Sequence, residues 1–162
     1  YPAAQGPGLP RMRPAKVNDS STTEERVAFP GALREQMLQQ ARAAPDVEIC
    51  GLIAGRGGRA VRCTAIRNVA AEPRRHFSMD PQQQIEAFRQ MREQGETLFG
   101  IYHSHPDGSA EPSETDIAEA GYPQALHFII SLHHSVEAEV RAFRFRGGWA
   151  LPVRLERLPH TG

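Results

Sequence analysis

The sequence of residues 98–116 has the features of a strand, followed by a loop and then by the start of a helix. Residues 98–103 have the apolar character of a strand, which ends in His103-Ser104-His105-Pro106. Prolines and Gly108 predict a loop over residues 106–112. A helix is predicted over residues 113–120. This order predicts that the end of the strand and the first turn of the helix lie close together.

The two histidines at the strand end are candidate metal ligands. His103 and His105 are two residues apart, so their imidazoles leave the same face of the sheet and can share one metal ion. The carboxylate of Asp116, in the first helical turn, can turn back toward them. Two imidazoles and one carboxylate suit Zn²⁺ and leave a fourth position for water, as in catalytic zinc sites. A zinc ion there would lower the pKa of that water to about 7.

Each part of this pattern also has an ordinary structural explanation. Two histidines near a strand end occur by chance. Ser113 and Asp116 before the apolar Ile117 form a helix capping box. We expect an Asp116 carboxylate that caps its own helix to be unable to bind a metal, so the two interpretations compete.

The combined pattern resembles the motif of a known enzyme family. His103-Ser104-His105-Pro106 is followed by seven residues between His105 and Ser113 and by two between Ser113 and Asp116. This spacing resembles that of the JAMM/MPN+ (JAB-type) zinc metalloproteases. Their upstream glutamate is matched by Glu48. The resemblance covers about residues 26–155, and it implies the MPN (cytidine-deaminase-like) fold.

The resemblance implies a role for each residue of the motif. It makes His103, His105 and Asp116 the ligands of one Zn²⁺. It makes Glu48 the general base, which takes a proton from water and passes it to the leaving amine. It makes Ser113 a hydrogen-bond donor to the developing oxyanion. Outside this motif, Glu48 would be interpreted as a solvated residue at a strand end.

Hydrophobic periodicity predicts a mixed α/β domain, with one curved sheet flanked by helices. A disordered N-terminal tail is predicted over residues 1–24, the folded domain over 25–158 and a short C-terminal tail over 159–162. The predicted strands cover residues 27–29, 47–54, 60–68, 98–103, 125–132, 137–145 and 149–155, and the predicted helices cover residues 30–43, 81–94 and 113–120.

Within the family, the chain resembles the compact prokaryotic branch. Only 46 residues follow Asp116 in the 162-residue sequence, which leaves little room for the insertions of the eukaryotic ubiquitin-removing members. The prokaryotic branch acts on ubiquitin-like and sulfur carrier proteins that end in Gly-Gly. The implied function is zinc-dependent hydrolysis, as a peptidase or isopeptidase, of the bond after that Gly-Gly. An extended tail can bind to a sheet edge as an added strand.

Other functions were compared with this one. A noncatalytic MPN scaffold that binds a partner protein, and a RadC-like JAMM protein, stay open as alternatives. A zinc nucleoside deaminase is disfavoured because neither His-x-Glu nor Pro-Cys-x-x-Cys occurs. A serine hydrolase is disfavoured because Gly-x-Ser-x-Gly is absent. We expect His127, His133 and His134 not to bind metal, and His76 to lie in a solvated loop.

Composition excludes some partners and indicates a compartment. The formal net charge is zero, so strong nonspecific binding to nucleic acid is not expected. The sequence has no run of about 18 apolar residues, so we expect no membrane span. Cys50 and Cys63 are predicted to be buried free thiols of a reducing compartment, which indicates a cytoplasmic protein.

Overall fold

The computed structural model describes residues 24–132 and 138–158, and these form seven strands and three helices. The predicted tails over residues 1–24 and 159–162 lie outside this part of the chain except for Glu24, as do His133 and His134. In chain order the elements are β1 Glu25–Pro30, α1 Gly31–Ala43, β2 Cys50–Arg56, β3 Arg59–Ile66, α2 Pro81–Glu93, β4 Thr97–His105, α3 Glu114–Ala118, β5 Leu126–Ser131, β6 Glu139–Arg146 and β7 Trp149–Leu158.

The seven described strands make one mixed sheet in the order β1-β7-β6-β5-β4-β2-β3. The pairs β1–β7 and β4–β5 are parallel, and the other four pairs are antiparallel. Although β1 and β3 are the two edges, they contact each other, so the sheet curls strongly. The predicted curved mixed sheet with flanking helices is confirmed.

Helices cover both faces of β2, which lies next to the edge strand β3. Ile53 packs toward α1, whose buried side chains follow the predicted helical spacing. Leu52 and Ala54 point to the opposite face and pack against Ala87 and Met91 of α2. Because β2 is covered on both faces, residues 50–55 are all apolar and buried rather than alternating, and only the last residue, Arg56, is exposed. The buried side chains of α1 are Leu33, Met37, Leu38 and Ala41.

Two local signals in the sequence explain where α2 begins and ends. The Asp80 carboxylate accepts hydrogen bonds from the backbone N–H groups of Gln82 and Gln83, as expected of an N-cap. Gly95 follows the helix with φ of +68°, a conformation that favours glycine. The helix predicted over residues 81–94 accordingly ends within one residue of the end of α2.

A close approach between β2 and β4 requires a glycine. Gly51 pairs with Tyr102, and a Cβ atom built on Gly51 would lie 2.2 Å from the Tyr102 ring. Tyr102 is fully buried and donates a hydrogen bond of 2.6 Å to Gln40 Oε1 on α1. The absence of a side chain at Gly51 therefore lets the aromatic ring cross the strand.

Several element boundaries differ from the prediction by one to three residues. The strand predicted over residues 47–54 begins at Cys50, because the Glu48 N–H bonds to the Pro73 carbonyl oxygen instead of joining the sheet. The helix predicted over residues 113–120 is the short α3, Glu114–Ala118. Over residues 24–132 and 138–158, every helix is too short or too polar to cross a membrane.

Candidate metal centre

The end of β4 brings two histidines together. His103 is 2% exposed, and its Nε2 atom lies 3.0 Å from Nε2 of His105. Nδ1 of His105 is 2.8 Å from the Ser109 carbonyl oxygen. A carbonyl oxygen only accepts, so Nδ1 carries the proton and the Nε2 lone pair of a neutral His105 faces His103.

The helix start supplies the third group. Oδ1 of Asp116 is 3.3 Å from Nε2 of His103, and Oδ2 is 3.2 Å from Nε2 of His105. Oδ2 also accepts a hydrogen bond of 2.8 Å from the Ser113 N–H, while Ser113 Oγ accepts one of 3.0 Å from the Asp116 N–H. The capping hydrogen bonds of Asp116 therefore coexist with its approach to both histidines, because a carboxylate has two oxygens with several lone pairs.

The donor set fits a zinc ion. Bonds of 2.0–2.1 Å in a tetrahedral site place neighbouring ligand atoms about 3.3 Å apart. The two Nε2 atoms are 3.0 Å apart, Nε2 of His103 is 3.3 Å from Oδ1 of Asp116, and Nε2 of His105 is 3.2 Å from Oδ2, so each of these pairs is near the tetrahedral spacing. Electron-rich atoms this close need a positive charge among them, which a proton or a metal cation can supply.

The pKa shifts of Asp116 and His105 are consistent with a positive charge among these atoms. Burial opposes ionisation of Asp116, but His103 and His105 overcome it and hold the pKa of the Asp116 carboxyl well below its usual range. Burial lowers the pKa of His105, but the hydrogen bond and charge of Asp116 outweigh burial and raise it. The cluster therefore stabilises a carboxylate that faces a cation.

Glu48 lies beside the histidines. It is 4% exposed, and one of its carboxylate oxygens lies within 4.8 Å of ring nitrogens of His103 and His105. Burial raises the pKa of Glu48 to about 8, although the charge of His105 opposes the shift. A solvated strand-end glutamate does not describe this residue. By proximity alone Glu48 could also bind a metal.

Ser113 is buried next to Asp116, at 7% exposure. Its oxygen accepts the capping hydrogen bond, and the hydroxyl hydrogen can still donate. The structure thus brings together all five residues singled out in the sequence: Glu48, His103, His105, Ser113 and Asp116.

A cavity of about 300 Å³ opens beside His103 and Asp116. One wall is formed by residues 75–79 and the other by residues 119–122. His127 of β5 lines the cavity and stacks on Phe145, with ring centres 4.1 Å apart. Burial, followed by the charge of His103, lowers the pKa of His127 to about 4, so this imidazole is neutral at physiological pH.

Some residues of the site were missed in the sequence or are less exposed than expected. His76 lies in a loop, as expected, but it is half-buried and lines the cavity rather than being fully solvated. Phe77 stacks on His103 with ring centres 4.6 Å apart, and no local pattern indicated this contact. Ser104, between the two histidines, bonds to the backbone beside Glu48, a role that its place in the motif could have suggested.

The two thiols stay outside the chemistry. Cys50 is buried and donates to the Ile66 carbonyl oxygen, and burial together with the charge of Glu48 raises its pKa to about 12. Cys63 is free and half-buried, with a pKa raised to about 12 by burial. Neither thiol forms the thiolate that a nucleophile or metal ligand requires.

The fold and the site together define a domain of the JAB/MPN type. The sheet is mixed and curled, one of its strands ends in His-x-His, and an aspartate at a helix start and a buried glutamate lie beside these histidines. The chain belongs to the family described as prokaryotic homologs of the JAB domain, whose model matches residues 30–146.

Relatives whose names denote hydrolases are similar in sequence to this protein over about two thirds of its length. A desampylase of Haloferax volcanii is 32% identical over 115 residues, which are 67% of this chain and 83% of that protein. A CysO-cysteine peptidase of Mycobacterium tuberculosis is 32% identical over 114 residues, 69% of this chain and 77% of that protein. The names describe peptidase- or isopeptidase-type hydrolases.

Solved structures agree with the fold. A Desulfitobacterium hafniense protein solved in solution has a TM-score of 0.74 and 31% identity, over 83% of this chain and 94% of its own. A JAB1/MPN domain protein from Archaeoglobus fulgidus has a TM-score of 0.50 and 18% identity, over 84% of this chain and 100% of its own, and it supports the fold alone.

Proposed function

We propose that this protein is a zinc-dependent metallopeptidase or isopeptidase. It hydrolyses the bond after the C-terminal Gly-Gly of a ubiquitin-like or sulfur carrier protein. The observation that carries the proposal is the convergence of His103, His105 and Asp116 at separations of 3.0–3.3 Å, with buried Glu48 beside them. The names of the relatives support the substrate class.

In this proposal His103, His105 and Asp116 hold one Zn²⁺. When bound, the ion would supply Lewis-acid chemistry, which acidifies water and polarises the scissile carbonyl. Glu48 takes the proton of the attacking water on a carboxylate oxygen and delivers it to the leaving amine nitrogen. The hydroxyl of Ser113 donates to the developing oxyanion.

The shape of the cavity suits a tail without side chains. It holds about 300 Å³ between residues 75–79 and 119–122, and Phe77 and Tyr122 are among the side chains that line it. Glycine residues pass such walls without steric conflict and can extend along the backbone of residues 75–79 as an added strand.

The free thiols of Cys50 and Cys63 fit a reducing compartment, so we place the reaction in the cytoplasm.

The test uses a carrier protein that ends in Gly-Gly followed by a short extension, incubated with zinc-loaded enzyme. Intact mass spectrometry should show loss of the extension at the bond after Gly-Gly. A chelator should abolish the reaction. A second substrate, with Gly-Gly joined to a lysine side chain, separates peptidase from isopeptidase activity.

Glu48→Gln is the matched control, because it keeps the shape of the side chain and removes the proton acceptor. General base catalysis contributes about 10²–10⁴-fold, so kcat should fall by that factor while zinc content and carrier binding persist. Binding of the carrier without turnover by the unmodified protein would favour the noncatalytic scaffold. A loss of zinc in Glu48→Gln would make Glu48 a ligand instead of the base.

A further inference from the structure

Asn68 lies just after β3, where the chain leaves the sheet for residues 69–79, here called the strap. The strap runs beside the metal centre and carries His76, Phe77 and Met79 into the cavity wall. It joins the sheet by an isolated bridge between Asn68 and Met79. The half-buried Asn68 is thus the point from which the strap departs and to which it returns.

Both the amino group and the oxygen of the Asn68 carboxamide form hydrogen bonds to backbone groups. Nδ2 donates 2.9 Å hydrogen bonds to the carbonyl oxygens of Glu48 and His76, with a longer contact of 3.5 Å to that of Pro73. Oδ1 accepts 3.0 Å hydrogen bonds from the N–H groups of Ala70 and Ser78.

No other side chain of similar size can make this set. The amino group faces only carbonyl oxygens and the amide oxygen faces only N–H groups, so the orientation of the amide is determined by its partners. Aspartate has the same shape but would place an acceptor against the Glu48 and His76 carbonyls. Serine and alanine do not reach both groups.

The backbone of Glu48 depends on these contacts because it lies outside the sheet. β2 begins at Cys50, so Glu48 has no place in the strand ladder. Its N–H donates to the Pro73 carbonyl oxygen at 2.7 Å, and its own carbonyl accepts from Asn68 at 2.9 Å. Both backbone groups of Glu48 are therefore held by Asn68 and the strap.

We propose that Asn68 is a positioning residue that joins Glu48 to the strap, so that the general base and the cavity wall keep one geometry. The proposal rests on the proposed function, because it takes Glu48 as the base. Asn68 touches neither the metal ligands nor the cavity by any described contact, and it acts through Glu48.

The test compares Asn68→Asp and Asn68→Ala with the unmodified protein, all zinc-loaded. Asn68→Asp keeps the two acceptor bonds and removes the donors, so it remains informative if Asn68→Ala does not fold. We expect kcat to fall about 10-fold or more with zinc content unchanged. Asp80→Ala is the control, since it removes the nearby cap of α2 without a described contact to Glu48, and it should lower Tm but leave kcat unchanged.

Two readouts distinguish positioning from a general loss of stability. In a Glu48→Gln background, adding Asn68→Asp should change kcat by less than about 3-fold, because the group it positions has lost its chemistry. Backbone amide exchange should also rise at residues 47–49 and 69–79 in Asn68→Asp, while β4 stays protected. Independent, multiplicative effects on kcat would overturn the proposal.

Backbone amide exchange tests the positioning role of Asn68 without requiring an activity assay. Unchanged exchange at residues 47–49 in Asn68→Asp would overturn the positioning role even if kcat falls. If the unmodified enzyme cleaves no carrier, the proposed function fails, and the exchange result still reports whether Asn68 holds Glu48. The two failures are therefore distinguishable.

Discussion

The side chain of Ser104 holds the backbone of Ile49: its Oγ accepts a hydrogen bond of 2.9 Å from the Ile49 N–H. The same hydroxyl faces the Val47 carbonyl oxygen at 3.4 Å, and the Ser104 N–H donates to the Ile49 carbonyl oxygen at 3.0 Å. The serine between the two histidines thus holds both neighbours of Glu48, which links the strand that carries His103 to the candidate base.

Ser104→Ala should lower kcat about 10-fold and leave zinc content unchanged, because it releases Glu48 without touching the metal-binding groups. The lost hydrogen bond should also reduce the free energy of unfolding by about 1–2 kcal/mol. Steady-state kinetics, metal analysis and chemical denaturation measure the three quantities. Full activity in Ser104→Ala would show that the backbone of Glu48 needs no anchor from β4.

His103→Ala and Asp116→Ala should each lose zinc and activity while the fold persists. The core is built on the sheet and its helices rather than on the metal, so the chelated protein should also stay folded. Metal analysis and circular dichroism check this. Cooperative unfolding on chelation would instead indicate a structural zinc.

The stability of the chelated protein should depend on pH through Glu48. Its pKa rises from 4.5 to about 8 on folding, mainly by burial, so the folded state binds this proton more tightly. Stability is then fully present below about pH 4.5 and is lost as pH rises toward about 8. Because one pKa unit corresponds to about 1.4 kcal/mol, the loss should reach a few kcal/mol.

Glu48→Gln removes this titration and provides the comparison. Its free energy of unfolding, measured by denaturant titration without metal, should exceed that of the unmodified protein increasingly between pH 5 and 8. Parallel stability curves for the two proteins would contradict the burial of an ionisable Glu48.

Gly51→Ala should destabilise the fold by about 3 kcal/mol or more. The new Cβ would lie 2.2 Å from the Tyr102 ring and 2.5 Å from the Thr64 carbonyl oxygen, and the latter belongs to the backbone and cannot turn away. Thermal unfolding measures the loss. Gly31→Ala is the matched control, since its Cβ would approach nothing closer than 4.0 Å. Equal Tm values for the two variants would refute the close approach.

Much of the fold could be predicted because its signals are local. Hydrophobic periodicity predicted α1 over residues 30–43 and α2 over residues 81–94, each within one residue of the observed helix. Boundaries failed where a distant partner intervenes. Glu48 was expected in a strand, but its N–H bonds to Pro73, which lies 25 residues further along the chain.

The residues of the site can likewise be separated into those that a local pattern predicted and those that only strand pairing brought to the site. His103, His105, Ser113 and Asp116 lie within one short segment, so the strand, loop and cap residues of that segment already predicted their convergence. His127 reaches the cavity only because β5 pairs in parallel beside β4. Nothing in the apolar run around His127 indicates that pairing.

The sequence by itself determined the local elements and the set of groups able to hold a metal, because alternation along a strand and capping at a helix start act over a few residues. The tertiary structure decided what surrounds them. The path of the strap from β3 to α2 brings Asn68 to the Glu48 carbonyl and Phe77 onto His103. Such contacts join residues 20 or more positions apart, and they depend on how the whole sheet packs rather than on any local pattern.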